Sequence, residues 1–167
     1  MLLPYAVVVP FSPGQPVVLR GPFRDSELEH HLGHRIKPAQ RPIAIRIDGR
    51  FEAVRVRSVP KQERPYPPLA DVIAQQQVSE LVDASGTMVG FCFPDPLDGV
   101  EMVGWHLHFV TDDRARGGHV LSYTLLESTA HVDDATWLHV ELPPEVGDPI
   151  DATSVDQALL RRLESDD

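Results

Sequence analysis

The sequence of 167 residues has a single cysteine and a deficit of positive charge. One cysteine, Cys92, excludes an intrachain disulfide and a cysteine-rich zinc site, so we expect a reducing environment and, by default, the cytoplasm. There are 15 Lys and Arg residues against 25 Asp and Glu residues, which gives a formal charge of -10. This acidic balance argues against binding to nucleic acid phosphates or to an anionic membrane surface.

Long apolar runs are absent as well. No run approaches the ~20 residues that cross a bilayer. Residues 1–10 are apolar but contain two prolines and no basic start, which predicts a strand rather than a signal peptide. The length is typical of one domain, and 42% hydrophobic residues can supply its core. We therefore expect one soluble domain over residues 1–167.

Proline is abundant, and it divides the chain into short apolar segments. The 16 prolines fall in clusters that break regular structure, and the segments between them are β-branched and predict strands. One pair of segments, 43–47 and 50–57, predicts a hairpin with a turn at Asp48-Gly49. One face of that hairpin is apolar, and the other face carries Arg46, Phe51, Arg55 and Arg57.

Capping residues and apolar spacing predict three short helices, over residues 25–32, 69–76 and 155–164. Together with the strands they predict the fold class α+β. The sheet is expected to be mixed but mainly antiparallel, with a metal site on one of its faces.

A predicted strand over residues 104–110 carries two histidines on one face. Alternation directs His106 and His108 to one side and the apolar residues between them to the other. After a polar loop the chain resumes as a strand at His119. In an antiparallel hairpin, the register that pairs His108 with His119 places three imidazoles together. Three imidazoles with an open fourth position are the ligand set of a catalytic zinc site.

Other interpretations of these histidines stay open. They could line a polar sheet face without any ligand, because short motifs match by chance. A cupin also begins its metal motif with H-x-H, although the glycine spacing of a cupin is not evident.

The Gly117-Gly118 pair suits a close approach of the backbone before His119. Glu101 lies nearby, but alternation predicts that it faces the Trp105 side.

The longer run around the histidines resembles the signature of the alpha-acetolactate decarboxylases. The matching residues are GWHLHF at 104–109, DDR at 112–114 and GGHVL at 117–121. Segments upstream resemble the same family in the same order: PYAVV at 4–8, IDGRF at 47–51, RSVP at 57–60, PYPPL at 65–69 and GTMVGF at 86–91. The resemblance extends from Pro4 to about Pro143.

This resemblance implies a zinc enzyme that decarboxylates 2-acetolactate, a 2-hydroxy-3-oxo acid, to acetoin. It implies that His106, His108 and His119 bind zinc and that Arg57, in the Arg-Ser-Val-Pro stretch, lies near the metal. We expect the histidine face to meet the arginine face, with zinc between them. Glu164 matches a C-terminal glutamate of the family by position. The residues alone favour Arg57 as a solvated arginine on an edge strand, and they leave Glu164 open as an exposed glutamate at a helix end.

The family pattern also has an opening segment, with an acidic residue in an Asp-Gly-Glu stretch, that has no counterpart before Met1. We therefore expect a single acetolactate decarboxylase-like domain that lacks this segment. An exposed sheet edge in such a domain favours a homodimer. The alternative is a non-catalytic metal-binding remnant or interaction module of the same family.

Overall fold

The computed structural model describes residues 6–33, 36, 40–63, 67, 71–72, 74–98, 100–101 and 103–139. Five strands dominate this part of the chain: β1 (Val17–Arg24), β2 (Ile43–Ser58), β3 (Gln77–Phe93), β4 (Gly104–Thr111) and β5 (Gly117–Asp134). The α-helix described, α1, spans Leu28–Leu32 and follows a 3-10 turn over Asp25–Glu27. A second 3-10 turn spans Asp95–Leu97. The predicted fold class, a mainly antiparallel sheet with short helices, is confirmed.

The sheet closes on itself around the core. Its strand order is β1-β5-β2-β3-β4, and a further pairing between β4 and β5 joins the last four strands into a ring. Each of these pairings is antiparallel. Buried apolar side chains fill the inside of the ring, among them Phe51, Met88, Leu125, Leu28 and Leu32. Alternate residues of each strand therefore lie on an outer face, where polar side chains are found.

Asp48 and Gly49 do not form a turn, so the predicted hairpin is wrong. β2 runs straight through both residues and pairs with β3 on one side and β5 on the other. Two flanking strands satisfy the backbone groups on both edges of β2, whereas a hairpin satisfies one edge. A Cβ atom at Gly49 would lie 2.4 Å from the backbone oxygen of Glu127. Glycine is thus required here for the close approach of β5.

A register shift in β2 changes which side chains share a face. The pairing with β5 shifts just after Phe51, so both Phe51 and Val54 are fully buried in the ring. The prediction that Phe51 shares the arginine face is therefore wrong. The outer face of β2 carries Arg46, Arg55 and Arg57, which alternate along the strand with residues that point into the core.

The helix predicted over residues 25–32 is present as α1 and the turn before it. The backbone N–H of Arg24 donates to the Glu27 carboxylate at 2.9 Å, which caps the first turn. Gly33 ends the helix with a φ of 60°. Leu28 and Leu32 lie one turn apart and are buried in the core.

The other predicted elements are described only in part. Of residues 69–76, residues 71 and 72 are helical and residues 74 and 75 form a turn. The helix predicted over residues 155–164 lies outside the described residues. Residues 6–10 have no regular structure, so the predicted strand is wrong there. They border the outer face of β2 and β3, where no strand edge is available for pairing. In the described part of the chain no helix has the length and hydropathy to span a bilayer.

Candidate metal centre

Three histidines lie together on the outer face of the ring, where β4 meets β5. His106 and His108 are on β4, His119 is on β5, and the strand register pairs His108 with His119. One ligand atom from each imidazole lies within 4.8 Å of the others. The predicted register between the two strands is confirmed, and it brings the three side chains to one place.

Strand alternation and two glycines explain why the imidazoles meet. Leu107 and Phe109 are only 6% and 3% exposed and point into the ring, so the histidines between and beside them point outward. A Cβ atom would lie 2.2 Å from the Phe109 oxygen at Gly117 and 2.4 Å from the Arg57 oxygen at Gly118. These glycines are needed for the close approach of β5 to β4 and to β2.

The spacing of the imidazoles fits a tetrahedral metal ion. The Nε2 atoms of His106 and His108 are 3.2 Å apart. Two nitrogens bound to tetrahedral zinc, each at about 2.05 Å, are separated by about 3.3 Å. The ring of His119 is at 76° and 88° to the other two rings, so the three imidazoles approach from different directions. The group could hold a metal ion, and imidazole nitrogen suits zinc, copper, iron or nickel.

Arg57 lies next to the histidines on the same outer face. It is at the end of β2, directly paired with His119, and its residue is 9% exposed. Directly opposite residues on antiparallel strands share a face. A guanidinium keeps its charge even when buried, so Arg57 supplies a fixed positive charge beside His119. The expectation that two separate faces meet is wrong, because the arginine and the histidines are neighbours on a single face.

Two glutamates were candidates for this site, Glu101 and Glu164, and the structure describes only Glu101. Glu164 lies outside the described residues, so its place near the histidines stays a prediction. Alternation predicts that Glu101 faces the Trp105 side, but β4 begins only at Gly104, whose φ is 93°. Alternation therefore does not extend back to Glu101, which lines a cavity beside His106 instead. No signal in the sequence marks this position.

This cavity has a volume of about 670 Å³ and is bordered by β2, β3, β4 and residues 6–11. Most of the side chains around it are apolar. Those with charged or ring-nitrogen groups are Arg46, Glu101, His106 and His108. His106 and His108 therefore border a largely apolar space, in which charges interact more strongly than in water.

An ion pair with Asp48 holds Arg46 at the cavity wall. The sequence did not predict this pair, because Asp48 was expected to lie in a turn. Nε and Nη2 of Arg46 donate to the two Asp48 carboxylate oxygens at 2.8 and 3.0 Å. The Thr87 hydroxyl donates to Asp48 at 2.6 Å. Hydrogen bonding and charge from Asp48 raise the pKa of Arg46. Partial burial opposes ionisation of Asp48, but the bonds from Arg46 and Thr87 leave the pKa of Asp48 below its ordinary value.

Comparison with known proteins identifies relatives of the whole described domain. A family model for alpha-acetolactate decarboxylase matches residues 1–148. The alpha-acetolactate decarboxylases of Methanosarcina mazei and Methylococcus capsulatus are 39% and 36% identical to this chain. The matches cover 84% and 89% of this chain but 49% and 57% of those proteins. The chain thus spans about half the length of these curated relatives.

The fold agrees with this sequence similarity. The crystal structure of alpha-acetolactate decarboxylase from Bacillus subtilis strain 168 matches with a TM-score of 0.75 and 30% sequence identity. The match covers 81% of this chain and 58% of that chain. The family model includes the strands that carry the three histidines and Arg57. The chain belongs to the alpha-acetolactate decarboxylase family.

Proposed function

We propose that this chain decarboxylates 2-acetolactate to acetoin, with a zinc ion held by His106, His108 and His119. The observation that carries the proposal is the convergence of these three imidazoles, with ligand atoms within 4.8 Å of one another. Two of the three, His106 and His108, line a cavity. Membership of the family supports the reaction class and argues against a cupin.

The chemistry of the substrate explains why such a site suits the reaction. In 2-acetolactate the carboxylate and a hydroxyl share one carbon, and a ketone is on the next. His106, His108 and His119 would hold a divalent ion without neutralising it, and that ion would supply Lewis-acid stabilisation of the charge that develops on the ketone oxygen. The bond to the carboxylate breaks, carbon dioxide leaves, and its electron pair forms an enediolate. A proton added to the carbon that lost carbon dioxide completes acetoin.

The protein side chains position the substrate and transfer its proton. The guanidinium of Arg57 has a fixed fork of donors, and beside His119 it would orient the substrate carboxylate or hydroxyl. Glu164 is proposed as a proton-transfer group from its position in the family pattern. The apolar side chains of the cavity would exclude water from the developing charge and so strengthen its interaction with these groups.

Acetoin release from racemic acetolactate tests the proposal. The purified 167-residue protein is assayed zinc-loaded and metal-free, with a blank for spontaneous decarboxylation. We expect activity only in the loaded protein and its loss in His106→Ala. His30→Ala is the matched control, because His30 is exposed on α1. Equal acetoin release by His106→Ala and the unaltered protein would refute the role of the histidines.

A metal-binding module without catalysis is the second candidate. The chain spans about half the length of the curated relatives it matches, so metal binding and catalysis are measured separately. Zinc binding that depends on His106 and His119, without any acetoin above the blank, would support this candidate. The homodimer expected from the sequence also stays a prediction, to be measured by the mass of the protein in solution.

A further inference from the structure

The proposed reaction needs a group that gives a proton to carbon, and few side chains around the cavity can do so. His106 and His108 would each use a ring nitrogen to hold the metal ion. Arginine does not lose its proton in proteins, so Arg46 cannot serve as the acid. Among the described residues that line the cavity, Glu101 carries the only carboxyl group. In this part of the structure Glu101 is therefore the candidate general acid.

Hydrogen bonds of the backbone hold Glu101 in place. Its N–H donates to the Leu97 carbonyl at 3.0 Å, directly after the 3-10 turn over Asp95–Leu97. A parallel β-bridge also joins Glu101 to Asp98. The residue is half-buried rather than exposed. A group on a segment held in this way can be placed reproducibly against a substrate, as proton transfer to carbon requires.

The start of β4 locates Glu101 relative to the histidines. β4 begins at Gly104, so His106 lies two residues, or about 6.8 Å at ~3.4 Å per residue, into the strand. Its partner across the sheet is Phe91, which lines the cavity as well. Glu101 precedes β4 and borders the same cavity. A substrate held at the histidines would thus have Glu101 on the side of the cavity where β4 begins.

We infer that Glu101 is the catalytic residue that delivers the proton to the carbon that lost carbon dioxide. The inference rests on the proposed function and leaves Glu164 to exchange protons with the substrate oxygens. The O–H bond of the Glu101 carboxyl breaks, a C–H bond forms on the enediolate carbon, and the ketone is restored. The carboxylate then regains a proton from water. One fixed donor reaches one face of the planar enediolate, so acetoin should form as a single enantiomer.

The enantiomeric composition of acetoin tests the inference on the unaltered protein. The zinc-loaded 167-residue protein converts racemic acetolactate, the acetoin of a protein-free blank is subtracted, and the enantiomers are separated on a chiral column. We expect one enantiomer in about tenfold excess or more, which corresponds to a difference of ~1.4 kcal/mol between the barriers for the two faces. Racemic acetoin would overturn the inference, because a fixed donor on one face cannot produce it.

Glu101→Gln removes the acid and keeps the size of the side chain. An amide does not act as the acid, so water should protonate the enediolate from either face. We expect acetoin to approach a racemic mixture and kcat to fall ~10²-fold or more, as when a general acid is lost. Glu101→Asp keeps a carboxyl group and should retain an excess of the same enantiomer. Glu52→Gln is the matched control, because Glu52 is exposed on β2 and does not line the cavity.

Binding without turnover shows whether Glu101 acts on the reaction or on the structure of the site. Calorimetric titration with zinc, and then with the unreactive acid 2-hydroxy-2-methylpropanoate, should give Kd values for Glu101→Gln within about twofold of those of the unaltered protein. A group that acts only in the transition state leaves such binding unchanged. A tenfold weaker binding of zinc by Glu101→Gln would contradict the inference and indicate a structural role.

Glu164→Gln in the same assay separates this inference from the proposed function. Loss of the enantiomeric excess in Glu164→Gln, with Glu101→Gln like the unaltered protein, would overturn the inference and leave the decarboxylation intact. No acetoin above the blank from the unaltered protein would refute the proposed function and the inference together. Loss of the excess in Glu101→Gln, with retention in Glu101→Asp and Glu164→Gln, would support the inference.

Discussion

The close approach of β5 at Gly118 gives a test of how the fold builds the histidine site. In Gly118→Ala the new Cβ would lie 2.4 Å from the backbone oxygen of Arg57, and real Cβ contacts are essentially never under 3.0 Å. The strands must therefore separate, next to His119. The required increase in the distance between the Cβ atom and the Arg57 oxygen is about three times the ±0.2 Å tolerance of metal–ligand distances. We expect zinc affinity to fall by about 10- to 100-fold, as when other groups that support a ligand are changed.

Competition with a chromophoric chelator measures this zinc affinity. Gly14→Ala is the matched control, because nothing lies within 4 Å of a Cβ atom there. Thermal unfolding of the metal-free proteins reports the cost of the strain alone, which we expect to be ~1–3 kcal/mol. Zinc affinity in Gly118→Ala equal to that of the unaltered protein would refute the reasoning that strand separation sets the position of His119.

Three further predictions concern the core, the outer face and the cysteine. Phe51 is fully buried, so Phe51→Ala should lower the free energy of unfolding in urea by ~3–5 kcal/mol; a loss below 1 kcal/mol would contradict its place in the ring. Asp48→Asn should cost under about 1 kcal/mol at neutral pH, because its pair with Arg46 is exposed. The pKa of Asp48 is lowered in the folded state. The difference in unfolding free energy between the unaltered protein and Asp48→Asn should therefore be constant at pH values above 3.8, the ordinary pKa of the group. It should shrink as the pH falls through the lower pKa of the folded state. Burial, with the charge of Glu29, raises the pKa of Cys92 to about 12, so iodoacetamide should modify it at pH 8 only after unfolding.

The sequence by itself determined the face of the sheet on which the histidines lie. Strict alternation in 104–110 places His106 and His108 on the side opposite to the buried Leu107 and Phe109. A polar loop short enough for a hairpin then leaves a register in which His119 pairs with His108. These features are local, since they depend on side-chain alternation and on one short connection, and local features can be read from a single sequence. The family resemblance has the same source, because it rests on short contiguous segments that occur in a fixed order along the chain.

The tertiary structure decided what depends on neighbours that are distant in the sequence. Asp48-Gly49 has the composition of a hairpin turn, yet β2 continues through it because β3 and β5 offer partners on both of its edges. The shift after Phe51 and the cavity formed against residues 6–11 also arise from pairings and contacts across the ring. Glu101 lies outside β4, which begins at Gly104, and yet lines that cavity. Local propensity is weak compared with the hydrogen bonds and buried area that such long-range contacts supply, so no periodicity in the sequence reveals them.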